Sequence, residues 1–271
     1  MLTNKNDIEK WLTQMGVKNF TIRESLVVDV KGNVSLSGRG LERLPIQFGV
    51  VTGYFDCTSN GLTTLKGAPS YVGGSFYCFY NKLTTLEGAP KHVEGGFYCF
   101  KCYLISLEGA PIYVRKNFYC SENQLTSLKG APHYVGGSFW CNNNRLVTLE
   151  GAPHYVGKDF DCEHNQLTSL EGAPSYVGGS FFCKNNQLTS LKGAPPYIRG
   201  SFYCYNNQLV SLEGAPFYVG GDFVCKNNQL TSFKGAPHYI GGKFLYDSQS
   251  SETLLEEAPL YVDTNIPNSK K

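Results

Sequence analysis

Hydrophobic and polar positions recur along the chain with a fixed period of 21 residues. One unit, at residues 169–189, contains Gly-Ala-Pro, then Gly-Gly, and ends with Phe-x-Cys-x-x-Asn-x-Leu-Thr. The cysteines that mark this period are Cys57, Cys78, Cys99, Cys120, Cys141, Cys162, Cys183, Cys204 and Cys225. A regular period of this length predicts a solenoid, in which each repeat packs only on its neighbours.

Each repeat is predicted to contain one short strand. Phe and Cys stand two positions apart, so both side chains point to one face of that strand. Equivalent strands are expected to pair in parallel at a spacing of about 4.8 Å. Leu62 and Leu65 turn inward beneath the strand, and Val72 closes the core from the other side. The Gly-Ala-Pro and Gly-Gly turns leave little room for a helix, so extended structure is expected there.

The aligned unit, Phe-x-Cys-x-x-Asn-x-Leu-x-x-Leu-x-Gly-Ala-Pro, resembles the leucine-rich repeat, whose core reads Leu-x-Leu-x-x-Asn/Cys-x-Leu. The resemblance covers about residues 34–262, with Phe and Cys in the places of two strand leucines. It implies a mostly β leucine-rich-repeat solenoid with a curved parallel sheet and an extended convex side. Cys102 replaces the asparagine of one repeat, a change that the family pattern admits.

The two ends of the chain depart from the repeat and are predicted to cover the core. Residues 1–33 form an N-terminal cap, with a helix at 6–16 that Asn6 and Glu9 cap and Gly16 ends, followed by strands. The solenoid is predicted to cover residues 34–242, with a degenerate first repeat beginning near Val34. Residues 243–271 are predicted to form a C-terminal cap repeat that loses the period, and a frayed tail that starts at Asn265.

Composition narrows the choice of function. The 271 residues carry a formal net charge of +2, which implies no strong attraction to nucleic acid or to a membrane surface. No apolar stretch is long enough to span a bilayer, and the polar N-terminus does not resemble a secretory signal. We therefore expect a cytoplasmic protein with no membrane partner.

The ten cysteines are predicted to be core residues rather than disulfides. Equivalent cysteines on neighbouring strands have parallel Cβ vectors, which keeps the Cβ atoms wider apart than the roughly 3.8 Å mean of a disulfide. Small buried thiols pack as hydrophobic groups. Cys99-x-x-Cys102 is a lone pair without a second pair to complete a zinc site, so neither a metal nor another cofactor is expected.

The variable positions of the repeat are the outward strand residues, between Phe and Cys and directly after Cys. On the expected concave face they form two columns, and many of them are aromatic. Aromatic side chains dominate interface hot spots, so we predict partner binding, although ring stacking between strands is a purely structural alternative. The candidate binding residues are Tyr77, Phe79, Tyr98, Phe100, Tyr119, Trp140, Asp161, Glu163, Phe182, Lys184, Tyr203 and Tyr205.

One repeat carries two acids on this face, in the segment Asp161-Cys-Glu163-His164. These acids suggest a pocket for a lysine or arginine of the partner, and solvated charges without a role are the alternative. No nucleophile and base stand at a spacing typical of catalysis, so we expect no enzymatic activity.

The near-identical repeats with strand cysteines also resemble leucine-rich-repeat proteins encoded by tailed bacteriophages and their hosts. They are similar, more distantly, to the short repeats of secreted bacterial effectors. The phage resemblance implies a non-catalytic scaffold in the host cytoplasm that binds a host protein, as an anti-defence or host-takeover modulator. Two alternatives use the aromatic columns for stacking, with either a glycan or single-stranded nucleic acid as the ligand. The oligomeric state stays open.

Overall fold

The computed structural model describes residues 1–247. The chain divides into two compact units, Met1–Gly137 and Ser138–Lys271. The predicted C-terminal cap repeat beyond residue 247 and the predicted tail from Asn265 lie outside the described residues. Apart from the first helix, the described part of each unit is built from very short strands, which form one sheet of Tyr-Val segments and one sheet of Phe segments. We call these the Tyr–Val sheet and the Phe sheet.

The first unit begins with α1 at Lys5–Gln14. Its Tyr–Val sheet contains β1 (Phe20–Ile22), β2 (Val27–Val30), β4 (Gln47–Val51), β6 (Tyr71–Val72), β8 (His92–Val93), β10 (Tyr113–Val114) and β12 (Tyr134–Val135). Its Phe sheet contains β3 (Val34–Ser35), β5 (Phe55–Asp56), β7 (Phe76–Tyr77), β9 (Phe97–Tyr98) and β11 (Phe118–Tyr119). All pairings within this unit are parallel except that of β1 with β2.

The second unit repeats the same pattern. Its Tyr–Val sheet contains β14 (Tyr155–Val156), β16 (Tyr176–Val177), β18 (Tyr197–Ile198), β20 (Tyr218–Val219) and β22 (Tyr239–Ile240). Its Phe sheet contains β13 (Phe139–Trp140), β15 (Phe160–Asp161), β17 (Phe181–Phe182), β19 (Phe202–Tyr203), β21 (Phe223–Val224) and β23 (Phe244–Leu245). Each pair is parallel and in register at a separation of one repeat, as with Phe160, which pairs with Phe181.

The core lies between the two sheets of each unit and follows the predicted periodicity. In the repeat around Cys78, the side chains of Phe76, Cys78, Leu83 and Leu86 are fully buried, and Val93 is almost so. The Phe rings stack on one another along each unit, as with Phe76 and Phe97, whose centroids are 5.2 Å apart. All ten cysteines are buried free thiols, as core packing requires.

The asparagine that follows the Phe-sheet strand in most repeats satisfies backbone groups of two repeats. Asn81 Nδ2 donates to the carbonyl oxygens of Cys57 and Cys78 at 3.0 and 2.9 Å, and its Oδ1 accepts from the Leu62 amide at 3.0 Å. One side chain therefore links two consecutive repeats. At the irregular repeat, Cys102 Sγ donates to the Cys78 carbonyl at 3.4 Å, so the thiol supplies one of these bonds.

The observed bounds of the N-terminal helix differ from the predicted ones. It spans Lys5–Gln14 rather than 6–16, and Asn4 is the N-cap, accepting from the Asp7 amide through its side chain. The predicted capping by Asn6 and Glu9 is wrong, because Asn4 provides the same side-chain oxygen two residues earlier. Gly16 follows the helix with a φ of +74°, the left-handed conformation that commonly ends helices.

The helix and the first strands cover the start of the core as predicted. Ile8 and Leu12 are buried, and the Trp11 ring lies 6.5 Å from that of Phe48. The first repeat begins where the sequence places it, since Val34 pairs with Phe55 in register. Among residues 1–247, no helix is both long enough and apolar enough to cross a membrane.

Candidate functional site

The outward residues of the Phe sheet form the candidate site, and in the first unit they build one continuous aromatic cluster. Tyr77 stacks on Tyr98 with centroids 4.9 Å apart, and Phe79 stacks on Phe100 at 4.3 Å. Tyr119 meets Tyr98 edge to face at 5.1 Å. All five predicted residues of this unit are therefore brought together, in the two adjacent columns that the sequence defines.

Two further rings join this cluster that the sequence analysis missed. Tyr80 contacts Phe79 and Phe100 edge to face, and Tyr54 contacts Tyr77 at 6.3 Å. Tyr80 has a positive φ of 54° and stands directly after the two predicted columns. The residues two positions after each repeat cysteine form a third column, which the 21-residue period could have identified from the sequence. Lys101 stands in this column one repeat after Tyr80, and its ammonium lies over the Tyr80 ring.

Stacking between neighbouring repeats covers part of each ring in this cluster. The rings of each stacked pair are nearly parallel, with interplanar angles of 14° for Tyr77 and Tyr98 and 12° for Phe79 and Phe100. Each stacked ring therefore covers a face of its neighbour, and all four side chains are half-buried. The four rings are thus partly accessible, and the two tyrosines add polar hydroxyls. Partly accessible rings with polar hydroxyls suit the apolar and hydrogen-bonding groups of a partner.

The second unit carries its own outward residues. Phe182 stacks on Tyr203 with centroids 4.9 Å apart and an interplanar angle of 8°. Trp140 is more exposed than the rings around it, at 37%. Tyr205 receives the Lys184 ammonium over its ring at 5.4 Å.

In the acidic repeat, one of the two acids already pairs with a lysine of this chain. Glu163 forms an ion pair with Lys184, with 2.8 Å between the carboxylate oxygen and Nζ. The Glu163 carboxylate therefore already holds a cation of the same chain. Burial opposes the charge of Lys184, but its hydrogen bonds to Glu163 and Tyr205 raise its pKa well above the ordinary value. Asp161 has no such partner among residues 1–247, and its Oδ1 accepts only the Glu163 amide, at 3.0 Å.

Burial raises the pKa of the Asp161 carboxyl to about 7, with repulsion from the Glu163 carboxylate acting in the same direction. An unfolded aspartate titrates near pH 3.9. The folded protein is thus destabilised by this group as pH rises above about 4, and the full penalty is present above about pH 7.

The variant Asp161→Asn is expected to remove this pH dependence. Its amide oxygen still accepts from Glu163, and it carries no charge to desolvate. At pH 8 we expect the variant to be more stable than the wild type by on the order of 2 kcal/mol, since one pKa unit corresponds to about 1.4 kcal/mol and solvent screens part of the effect. Urea unfolding at pH 8 and pH 4.5 checks this. An equal difference between the two proteins at both pH values would contradict the assignment.

Comparisons with known proteins locate the fold. No protein-family model matches the sequence, and no curated protein matches it. Among solved structures, YopM, described as a leucine-rich effector protein from Yersinia pestis, superimposes with a TM-score of 0.54 at 20% identity, over 78% of this chain and 65% of that one. The chain has the leucine-rich-repeat fold. YopM from Yersinia enterocolitica WA-314 is also similar, at 17% identity and a TM-score of 0.37 over 80% of this chain and 62% of that one.

This chain thus spans somewhat less than two thirds of the length of both YopM proteins. The likeness shows the fold, and the leucine-rich-repeat core explains why Phe, Cys, Asn and Leu recur while the outward strand positions vary. Across the described residues 1–247, no three His, Cys, Asp or Glu side chains are grouped to hold a metal ion.

Proposed function

We propose that the protein is a non-catalytic binding scaffold that holds a protein partner on the outward face of the Phe sheet. The observation that carries this proposal is the aromatic cluster of the first unit. Seven rings are in continuous contact there, namely Tyr54, Tyr77, Phe79, Tyr80, Tyr98, Phe100 and Tyr119. They occupy positions that the repeated core does not need, because the core is already filled by Phe76, Phe97 and their equivalents.

Exposed aromatic patches mark interaction sites, and tyrosine is enriched among the residues that dominate binding energy. Stacking covers one face of each of the four paired rings, which leaves less ring surface for the base of a nucleic acid or the sugar of a glycan to stack on. Charged residues on this sheet are mixed in sign and partly paired within the chain, as with Lys101 and Glu122 at 3.4 Å. A polyanion would require a basic stripe instead.

The resemblance to phage-encoded repeat proteins supports a more specific proposal. The partner would be a protein of the bacterial host, bound in the host cytoplasm, and binding would modify a defence or takeover process. The likeness of YopM, itself described as an effector protein, fits a role in which one protein acts by binding another.

Capture from a bacterial lysate tests the proposed function. The wild type is expected to retain a stoichiometric protein partner after nuclease treatment and at 0.5 M salt, because apolar contacts are insensitive to counterion release. The double variant Tyr119→Ala/Trp140→Ala is expected to lose that partner while keeping its circular dichroism spectrum. Retention by the folded variant, or loss of the partner on nuclease treatment, would contradict a protein-binding role for this face.

A further inference from the structure

Asp161 occupies an aromatic-walled slot on the Phe sheet of the second unit. Strand register places Trp140 one repeat before it and Phe182 one repeat after it, with all three side chains on the outward face. Two strand spacings separate Trp140 from Phe182, about 9.6 Å. Asp161 stands at the position midway between them, so a planar group bound over its carboxyl would have a ring on each side.

The charge of this slot is unbalanced. The charged groups that act on the Asp161 carboxyl are Glu163, Lys184 and Asp159. Lys184 and Glu163 neutralise each other through their ion pair, so Asp161 and Asp159 leave the slot negative. Asp159 Oδ1 is held by the Ser180 amide at 2.8 Å. The slot therefore has one carboxylate that a cation would satisfy.

The other acid in the same column shows that such a carboxylate can be satisfied within the chain. Asp56, in the first unit, accepts from both the amide and the hydroxyl of Thr58, at 2.9 and 2.7 Å. At the matching position after Asp161 stands Glu163, which offers its amide but no hydroxyl. Asp161 thus lacks the donor that completes the equivalent site.

The neighbouring column shows how this sheet holds a cation between a carboxylate and an aromatic ring. There, Lys184 lies against the carboxylate of Glu163 in the preceding repeat and over the ring of Tyr205 in the following repeat. In the column between Phe and Cys, Asp161 and Phe182 likewise offer a carboxylate and a ring, here in adjacent repeats, and no lysine or arginine within residues 1–247 pairs with Asp161. Carboxylate and ring together attract a cation more strongly than either alone.

We propose that the slot formed by Trp140, Asp161 and Phe182 binds an arginine side chain of the protein partner. The planar guanidinium stacks on aromatic rings and pairs with a carboxylate through parallel hydrogen bonds, which a lysine ammonium cannot do. This inference rests on the proposed function, since it names the chemical group that the partner contributes at this part of the same face.

A titration with single amino-acid derivatives tests the slot without knowledge of the partner. The protein has two tryptophans, so Trp11→Phe leaves Trp140 as the fluorescent reporter. N-acetyl-arginine methylamide at pH 8 and low salt is expected to change its fluorescence saturably at millimolar concentration. N-acetyl-citrulline methylamide, a neutral analogue of the same shape, is expected to bind at least tenfold more weakly.

Two variants and one change of pH sharpen this test. Asp161→Asn keeps the fold and is expected to reduce arginine binding to the citrulline level, and Phe182→Ala is expected to weaken it severalfold. At pH 5.5 arginine affinity in the wild type is expected to fall more than tenfold, because Asp161 is then protonated. Equal binding of the two derivatives, or an unchanged affinity in Asp161→Asn, would overturn the proposal.

The same variant separates this inference from the proposed function. If a captured partner binds Asp161→Asn as tightly as the wild type, the arginine slot is wrong and the scaffold function stands. If no partner is captured at all, the scaffold function is wrong, whatever the titration shows.

Discussion

Replacing Phe97 with alanine is expected to lower the free energy of unfolding of the first unit by about 4 kcal/mol. The Phe97 ring is fully buried, and its neighbours Phe76 and Phe118 lie 5.2 and 5.3 Å away along the stack. The strand spacing is fixed by backbone hydrogen bonds such as that from the Phe97 amide to the Asn117 carbonyl at 2.8 Å. The repeats therefore cannot collapse into the space that the ring leaves.

Phe100→Ala is the matched control, because Phe100 belongs to the same repeat but lies half-buried on the outward face. We expect it to reduce stability by only about 1 kcal/mol. Urea unfolding followed by circular dichroism measures both variants. Similar losses for the two would show that the outward rings, rather than the buried stack, hold the repeats together, and would weaken the case for a surface kept for binding.

Replacing Asn81 with alanine is expected to destabilise the first unit by on the order of 4 kcal/mol. The side chain is 4% exposed, and its removal leaves the Leu62 amide without its acceptor and deprives the carbonyls of Cys57 and Cys78 of a donor. Each buried group left unsatisfied costs about 1–3 kcal/mol. The exposed neighbour Lys82 provides the control, since Lys82→Ala is expected to change stability by less than about 0.5 kcal/mol.

The irregular repeat, in which Cys102 replaces the asparagine, allows the effect of adding these hydrogen bonds to be tested. Cys102 already supplies one bond to the Cys78 carbonyl, so Cys102→Asn is expected to stabilise the unit by about 1 kcal/mol by adding the remaining bonds. Asn81→Cys, which copies the natural exception, is expected to lose less stability than Asn81→Ala. A destabilising Cys102→Asn would show that this repeat has adapted to the smaller side chain.

The core of this protein could be predicted closely from the sequence, because the same apolar positions recur in every repeat and confirm one another. Period-two alternation at Phe76 and Cys78 specified a strand, and the constant spacing specified which strands pair. The helix was less well placed, since both Asn4 and Asn6 can cap a helix and the sequence pattern alone does not choose between them.

The candidate site was predicted in part. Alternation identified which residues face outward, and the first unit brings its five predicted aromatic residues together. How the rings stack depends on side-chain torsions that the repeat pattern does not encode, so the covering of one ring face by the next was not foreseen. The pairing of Glu163 with Lys184 was missed, although both residues stand in the column directly after the cysteines and residues one repeat apart in a column are neighbours.

The most direct test of the binding face compares two pairs of stacked rings in the first unit once a partner has been captured. Tyr98→Ala/Phe100→Ala removes rings from the Phe sheet, and Tyr113→Ala/Tyr134→Ala removes a stacked pair, 4.9 Å apart, from the Tyr–Val sheet. We expect the first variant to weaken partner binding, measured by calorimetry, by at least about 30-fold, the effect of a 2 kcal/mol hot spot. The second should change it by less than about threefold. Equal weakening by both variants, or loss of affinity only on the Tyr–Val side, would contradict the Phe-sheet face as the binding surface.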